Sequence, residues 1–288
     1  MLNGQSNFNL ELIHGKDGYK IIKSADSLKY ATRLKLQKEK QEKFKGYIEG
    51  SELRYIFEVP SIIDYKQTDS SYSFTMPFYN GYNLIDVFES GDIIILERVL
   101  ENIKDFLIWE FKNSVIESGV DLVVRKIESL EQNFNNPLLK RICSDLIVIC
   151  KDKLIGGFYV GVCHGDLTFS NMIFTQKVIL LDFLDSFIET PYQDIAKIYQ
   201  EINLFWSYLM QNRKSSLTKI KIGYNFIREH FHFKILEIAK IFPHVNLEHI
   251  NIFYLITLLR ILPYTKTDIS DLVFNEVDKV YKQIKGDI

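Results

Sequence analysis

Three polar residues near the middle of the chain, Asp166, Asn171 and Asp182, have the types and spacing that phosphoryl transfer requires. Asp166 and Asn171 are five residues apart in a loop opened by His164 and Gly165, and Asp182 ends an apolar run eleven residues later. In that chemistry one carboxylate orients the acceptor hydroxyl and takes its proton. An amide and a second carboxylate hold Mg²⁺ against the phosphates of ATP. The three residues therefore predict a site that uses ATP and Mg²⁺.

The same segment resembles the aminoglycoside phosphotransferase and choline kinase family. Members show H-G-D-x-x-x-x-N, then an apolar strand ending in I-D-F, then P-x-x-D-h-A. This chain carries the three blocks in that order: His164-Gly165-Asp166 with Asn171, Leu181-Asp182-Phe183, and Pro191 with Asp194-Ile195-Ala196. The resemblance implies a small-molecule kinase with a two-lobed, protein-kinase-like α+β fold. Residues 1–80 would form a small strand-rich nucleotide-binding lobe, and residues 81–288 a larger, mainly helical lobe that binds the acceptor.

The resemblance also assigns roles within this segment. It implies Asp166 as the catalytic base and Asn171 and Asp182 as metal ligands. His164 would brace the loop, and Asp194 would support it. The residues themselves predict a helix start at Thr190-Pro191-Tyr192-Gln193, with Thr190 as N-cap, Pro191 at the first position and Gln193 closing a capping box.

Kinases of this type need a loop over the phosphates, a strand lysine that contacts them, and a helix glutamate that holds the lysine. Gly4 and Ser6, in the sequence GQSN, resemble the phosphate loop of relatives. Lys23 lies in the strand-like sequence YKIIKS and fits the lysine. Glu39, sixteen residues on in a polar helix, fits its partner, with Glu42 as the alternative.

A short segment at the predicted join of the lobes resembles the hinge that binds adenine in such kinases. It is Met76-Pro77-Phe78-Tyr79. Pro77 has no N–H, but a carbonyl alone accepts from the adenine amino group. The N–H that contacts the ring would come from Tyr79, two residues later.

The elements that must position these residues follow from periodicity. Alternating residues predict strands at 7–13 and 19–24, joined by the turn 14–18, and further strands at 54–59 and 72–76. A polar helix is expected from Ser27 to about Gly46. Residues 83–156 and those from Asp194 onward have helical spacing, with short buried strands at 158–163 and 178–182 between them. The boundary between the lobes is expected near Asn80 and Gly81.

Composition excludes other classes of function. The chain has 288 residues, 47% of them hydrophobic, and a formal net charge of −2. Such a balance disfavours nucleic-acid binding and anionic lipid surfaces, which need clustered Lys and Arg. The beginning of the chain lacks the features of a signal peptide, and no apolar run is long enough for membrane insertion. We therefore expect a cytoplasmic enzyme.

The cysteines are expected to be reduced and structural. Cys143, Cys150 and Cys163 lack the spacing of a disulfide framework or of a zinc site. Cys163 precedes His164 directly, but neighbours in sequence rarely orient as nucleophile and base. A buried thiol is the better interpretation.

The acceptor stays open at this stage. The motifs HGDLTFSN and LDFLDSFI resemble those of bacterial phosphotransferases associated with surface-polysaccharide synthesis. This implies a small hydroxylated acceptor such as a sugar, a sugar derivative or an amino alcohol. The alternatives are an aminoglycoside-type or choline-type kinase, or a nucleotide-binding pseudokinase that regulates a partner. A kinase for proteins is disfavoured because Pro191 starts a helix only nine residues after Asp182.

Overall fold

The structure, a computed structural model, describes residues 8–16, 18–210, 215–265 and 267–286. The described strands are β1 Asn9–Gly15, β2 Gly18–Ala25, β3 Phe57–Glu58, β4 Asp64–Gln67, β5 Tyr72–Pro77, β6 Ser114–Glu117, β7 Phe158–Gly161, β8 Met172–Phe174 and β9 Val178–Leu180. The helices are α1 Leu28–Glu49, α2 Leu84–Ser90, α3 Ile93–Lys112, α4 Val120–Glu131, α5 Pro137–Lys153, α6 Pro191–Leu204, α7 Trp206–Met210, α8 Leu217–Ile241, α9 Leu247–Ile261 and α10 Thr267–Lys285.

The chain divides into two compact units. The first, here the strand-rich unit, contains the residues up to Val87 together with Phe169–Asp185. The second, the helical unit, contains Phe88–Thr168 and the described residues from Ser186 onward. This order confirms the predicted α+β chain with a small strand-rich N-terminal part and a larger helical part. The hairpin of β8 and β9 groups with the N-terminal residues, whereas the boundary near Asn80 and Gly81 stays a prediction.

The strand-rich unit contains an antiparallel sheet in the order β1-β2-β5-β4. One of its two central strands, β2, carries Lys23, which lies opposite Leu10 on one side and Phe74 on the other. Helix α1 covers the sheet with a stripe that recurs every three or four residues, as expected of one helix face. The buried members of this stripe are Ala31, Leu34, Gln37, Gln41, Phe44 and Ile48.

A second sheet in this unit has the order β3-β9-β8. β9 runs parallel to β3 and antiparallel to β8, so that β8 and β9 form a hairpin. Tyr82 and Phe174 exchange backbone hydrogen bonds of 2.9 and 2.7 Å and thereby tie the segment after β5 to this hairpin. The preceding residue, Gly81, lies against Ile173 and Phe174.

The helical unit is built around α6. Apart from Tyr199 and Asn203, every residue of α6 is buried, polar residues included. A helix enclosed on all sides must satisfy its polar side chains within the protein. The antiparallel strands β6 and β7 belong to this unit too. Thr190 caps α6 as predicted, its hydroxyl accepting from Tyr192 N at 3.3 Å, and Pro191 occupies the first turn.

The sequence-based expectations fail at several local points. Helix α1 runs past Gly46 to Glu49, because a helix tolerates an interior glycine at a cost of about 1 kcal/mol. Only Phe57–Glu58 of the expected strand 54–59 forms a strand, because Glu52–Tyr55 is a short 3₁₀ helix. The predicted capping box at Gln193 is wrong, since its side-chain Oε1 accepts no hydrogen bond from the described residues and its Nε2 donates to Thr257. Strands β4 and β6 were not predicted, because exposed strands lack a clear apolar alternation.

Within the described residues, no helix combines the length and the apolar character needed to cross a membrane.

Gly81→Ala is expected to destabilise the strand-rich unit. A Cβ at this position would lie 2.6 Å from the Ile173 side chain and 2.7 Å from the Phe174 carbonyl oxygen, and that backbone carbonyl cannot move away freely. Such overpacking costs about 1–3 kcal/mol. Urea unfolding would measure the loss. Gly46→Ala is the control, because its Cβ meets nothing within 4 Å and helix propensity predicts a gain. Equal stability of Gly81→Ala and wild type would contradict this packing.

Candidate active site

The loop that contains the HGD motif is held by one buried carboxylate. Asp194, in the first turn of α6, is fully buried. Its Oδ2 accepts from His164 N at 2.5 Å, and its Oδ1 accepts from Gly165 N at 2.8 Å. Gly165 has a φ of 87°, which favours glycine at this turn. Asp194 therefore fixes the backbone that carries Asp166, the supporting role that the family resemblance implied.

A second buried carboxylate lies at the same backbone amide. Glu110 of α3 is fully buried, and its Oε1 lies 3.3 Å from His164 N. Sequence reasoning missed this residue. The signal for it is its register, because Glu110 falls on the apolar stripe of α3, between Leu107 and Phe111. A charged residue at such a position needs a polar partner in the core.

Asp166 is the predicted catalytic base, and its surroundings are now defined. Its side chain is 23% exposed, and its Oδ1 lies 2.9 Å from Nζ of Lys197, a buried lysine in α6. Its backbone N–H donates to Nδ1 of His164 at 3.3 Å, in keeping with a bracing role for that histidine. The carboxylate is thus partly open to solvent and carries a cation on one oxygen. Lys197 was also missed from the sequence.

The strand-rich unit brings Lys23 and Asp182 together. Lys23 is 2% exposed, and its Nζ donates to Asp182 Oδ1 at 2.7 Å and to Gln37 Oε1 at 3.0 Å. The ammonium also lies 4.9 Å from the centre of the Phe8 ring, which adds a cation–π contact. The two charged residues are 159 positions apart in the chain. Only the tertiary fold places them side by side.

The predicted glutamate partner of Lys23 is wrong. Glu39 is exposed, and so is Glu42, which pairs with Lys38. Successive helix residues rotate by about 100°, so a residue two positions after Gln37 points to nearly the opposite side of α1. Gln37 lies on the buried stripe and takes the place that the glutamate was expected to fill.

The open end of the hairpin of β8 and β9 carries the two predicted metal ligands. The register pairs Met172 with Leu180, and the next residue, Leu181, donates its N–H to Asn171 O at 2.9 Å. Asp182 follows directly, with a φ of 60°. This left-handed conformation is rare outside glycine but is several-fold enriched for Asp and Asn. This uncommon backbone conformation lies at a residue that is predicted to bind the metal.

The donor atoms of this pair fit Mg²⁺. Carboxylate and amide oxygens are the protein ligands that magnesium prefers, and it commonly uses one or two carboxylates with substrate phosphates and water. Asp182 Oδ1 accepts from Lys23, its Oδ2 has no hydrogen-bond donor among the described residues, and its side chain is 41% exposed. The described residues contain no cluster of three or more His, Cys, Asp or Glu side chains that would hold a metal by themselves.

The predicted adenine segment begins at the end of β5. Met76 is buried and lies opposite Ile21 of β2, while Pro77 lies opposite Lys20. Phe78 N donates to Tyr19 O at 3.1 Å, whereas no described residue accepts from the N–H of Tyr79. That donor is the one predicted to contact the adenine ring. Burial, with the hydrogen bond to Glu58, raises the pKa of the Tyr79 hydroxyl well above its usual range.

Gly4 and Ser6, the predicted phosphate loop, lie outside the described residues. The geometry is compatible with the roles predicted for Asp166, Asn171, Asp182 and the adenine segment. These roles stay predictions. All three cysteines are buried and none is in a disulfide, and burial raises the pKa values of Cys143 and Cys150 to about 12. Cys163 donates to Glu189 at 3.4 Å, in keeping with a structural thiol.

Comparisons with known proteins agree with the predicted resemblance. The model of the phosphotransferase enzyme family matches residues 124–219, a segment that contains all three sequence blocks described above, from His164 to Ala196. No curated protein sequence matches the chain significantly. The family match confirms the resemblance to phosphotransferases and the prediction that the chain is an enzyme of this type.

Several solved structures share the fold. Aminoglycoside phosphotransferase APH(4)-Ia, in a ternary complex with ADP and hygromycin B, has a TM-score of 0.59 and 11% identity, covering 98% of this chain and 92% of that one. Choline kinase LicA from Streptococcus pneumoniae has a TM-score of 0.57 and 12% identity, and the match covers 98% of this chain and 92% of that one. A putative fructosamine-3-kinase from Haemophilus somnus has a TM-score of 0.57 and 14% identity, and the match covers 98% of this chain and 89% of that one. The predicted fold of small-molecule kinases is thereby confirmed.

Gln37→Ala and Glu39→Ala are expected to differ sharply. Gln37→Ala removes one acceptor from the buried ammonium of Lys23, and a buried donor left unsatisfied costs about 1–3 kcal/mol. Glu39→Ala changes an exposed position and should fall within about 0.5 kcal/mol of wild type. Urea unfolding of both variants measures the difference. A larger loss of unfolding free energy for Glu39→Ala than for Gln37→Ala would contradict the pairing of Lys23 with Gln37. It would support Glu39 as the partner of Lys23 instead.

Proposed function

We propose that the chain transfers the γ-phosphoryl group of ATP to a hydroxyl of a small metabolite, with Mg²⁺ as the metal. The observation that carries this proposal is the contact of 2.7 Å between Lys23 and Asp182. A phosphate-binding lysine and a metal-binding aspartate must lie close together, because both face the same triphosphate. The family match over residues 124–219 supports the same activity.

The site residues of the strand-rich unit would each take part in nucleotide binding. Lys23 would place its ammonium on the phosphates, with Gln37 keeping it oriented. Tyr79 would donate its N–H to the adenine ring. Asn171 and Asp182 would hold Mg²⁺, which supplies positive charge that offsets the charge of the phosphates when it is bound.

Asp166 would act on the acceptor. As a carboxylate held by its neighbours, it would accept a hydrogen bond from the acceptor hydroxyl, orient that oxygen toward the γ-phosphorus and take its proton as the new bond forms. Asp194 contributes indirectly, since it fixes the backbone of His164 and Gly165. Positioning of this kind supplies much of the rate in phosphoryl transfer, where little covalent chemistry falls to the protein.

The acceptor we propose is a sugar, a sugar derivative or an amino alcohol. Proteins of this fold named above are an aminoglycoside phosphotransferase, a choline kinase and a putative fructosamine kinase. Their acceptors differ widely, so the fold leaves the acceptor to local residues. The resemblance of the HGDLTFSN segment to phosphotransferases associated with surface-polysaccharide synthesis supports a sugar derivative.

Thermal unfolding with ATP tests the nucleotide half of this proposal. Ligand at about 100 times its dissociation constant stabilises the folded state by roughly 2.7 kcal/mol. For a chain of this size we expect a rise in Tm on the order of 5–10 °C that requires Mg²⁺. Asp182→Asn should abolish the Mg²⁺-dependent part, because Asn tolerates the left-handed backbone of this residue but lacks the charge.

Asp278→Asn is the matched control, since that aspartate pairs with Lys282 at the surface of α10. It should keep the full shift. An equal Mg²⁺-dependent shift in Asp182→Asn would reject the assigned metal ligand. Absence of any shift in wild type, with ATP and with GTP, would reject nucleotide binding and with it the proposed activity.

A further inference from the structure

The ammonium of Lys197 lies beside the proposed catalytic base. Lys197 follows Asp194 by one turn of α6, so both side chains extend from the same side of this helix. Its side chain is 9% exposed. Nζ lies 2.9 Å from Asp166 Oδ1 and donates to Gln200 Oε1 at 3.0 Å. A buried lysine needs such partners, because an unpaired charge in the interior is costly.

The ammonium of Lys197 has more N–H donors than it has acceptors among the described residues. An ammonium carries three N–H donors, and the described residues provide Lys197 with the oxygens of Asp166 and Gln200 only. One donor is therefore left over on a side chain that is more than nine-tenths buried. A ligand oxygen placed next to Asp166 would satisfy it.

The proposed reaction puts such an oxygen within reach. A hydroxyl held by Asp166 would lie at a hydrogen-bond distance from the carboxylate, about 2.7 Å. Since Nζ is 2.9 Å from the same carboxylate, the ammonium and the reacting oxygen would be at most about 6 to 8 Å apart, depending on which carboxylate oxygen binds the hydroxyl. Atoms next to the reacting hydroxyl thus lie in the field of Lys197.

We propose that Lys197 selects the acceptor by charge: it donates to an oxygen next to the reacting hydroxyl and disfavours a cationic nitrogen there. The inference rests on the proposed function, and it narrows the acceptor to a sugar, polyol or sugar acid rather than an amino alcohol or aminoglycoside. Lys197 neutralises the charge of Asp166, which would otherwise attract an acceptor ammonium. Asp194 accepts with its two oxygens from the backbone N–H groups of His164 and Gly165, and Glu110 Oε1 accepts from His164 N.

Acceptors matched in size and different in charge test the proposal. One set is ethylene glycol, glycolate and ethanolamine, and the other is glucose, glucuronate and glucosamine. Formation of ADP from ATP gives kcat/KM for each, and thermal shifts with ADP and Mg²⁺ report binding where turnover is low. Wild type is expected to favour the neutral or anionic member of a set over the cationic member by at least tenfold, or by the larger thermal shift.

Lys197→Met should reduce this preference at least tenfold, because it removes the ammonium and keeps most of the side-chain volume. Lys197→Arg should retain it, since the charge remains. Lys279→Met is the control, because Lys279 pairs with Glu276 in α10 and is half exposed. It should behave as wild type. If Lys197→Met does not fold, the order of the acceptors in wild type and in Lys197→Gln decides the question.

Three results would overturn the inference. They are a wild-type preference for the cationic acceptors, the absence of any discrimination within the sets, and an equal loss for all members in Lys197→Met, which would make Lys197 a positioning residue only. The shift in Tm with ATP and Mg²⁺, measured on the same samples, separates these failures from failure of the proposed function. If that shift is present, a negative result concerns Lys197 alone.

Discussion

The buried carboxylate of Asp194 is the constraint on which the catalytic loop depends. It accepts two adjacent backbone N–H groups, of His164 and Gly165, with one oxygen each. No neutral side chain of the same size offers two acceptors in this way, because an amide has a single oxygen. Two features place this carboxylate at the loop. Helix α6 is enclosed on nearly all sides, so Asp194 is buried, and Thr190 and Pro191 fix where the helix begins. Capping, burial and the loop backbone are thus one connected arrangement.

In the strand-rich unit, the main constraint is the contact between a lysine and an aspartate. In the part of the chain that the structure describes, no glutamate pairs with this lysine. Lys23 is buried on the sheet and donates to a neutral amide, Gln37, and to the carboxylate of Asp182. Asp182 adopts a left-handed backbone at the end of its hairpin and keeps one oxygen without a protein donor among the described residues. A burial cost for Lys23 and a strained conformation for Asp182 are therefore concentrated at the two residues proposed to meet the triphosphate.

The sequence was informative where chemistry fixes the spacing and less so where tertiary packing chooses a face. Asp166, Asn171 and Asp182 stand out by their types and spacing, and Asp194 stands out through the family resemblance. Thr190 with Pro191 marks a helix start for reasons of capping alone. The partner of Lys23 was mispredicted because the buried positions in the middle of α1 are themselves polar, Gln37 and Gln41, so periodicity does not reveal that Gln37 faces inward. Glu110 and Lys197 were missed because each contacts a residue that is distant in sequence, His164 and Asp166 respectively. The local pattern of the helix does not reveal such a partner.

Transfer of labelled γ-phosphate from ATP to small hydroxylated molecules tests the central claim most directly. The account predicts that wild type labels at least one sugar, polyol or sugar acid and no polypeptide, and that Asp166→Asn slows this labelling by about 100-fold or more, the usual contribution of a general base. The folded state of the variant is checked by its unfolding transition. Undiminished labelling by folded Asp166→Asn, or label found on protein instead of on a small molecule, would contradict the account.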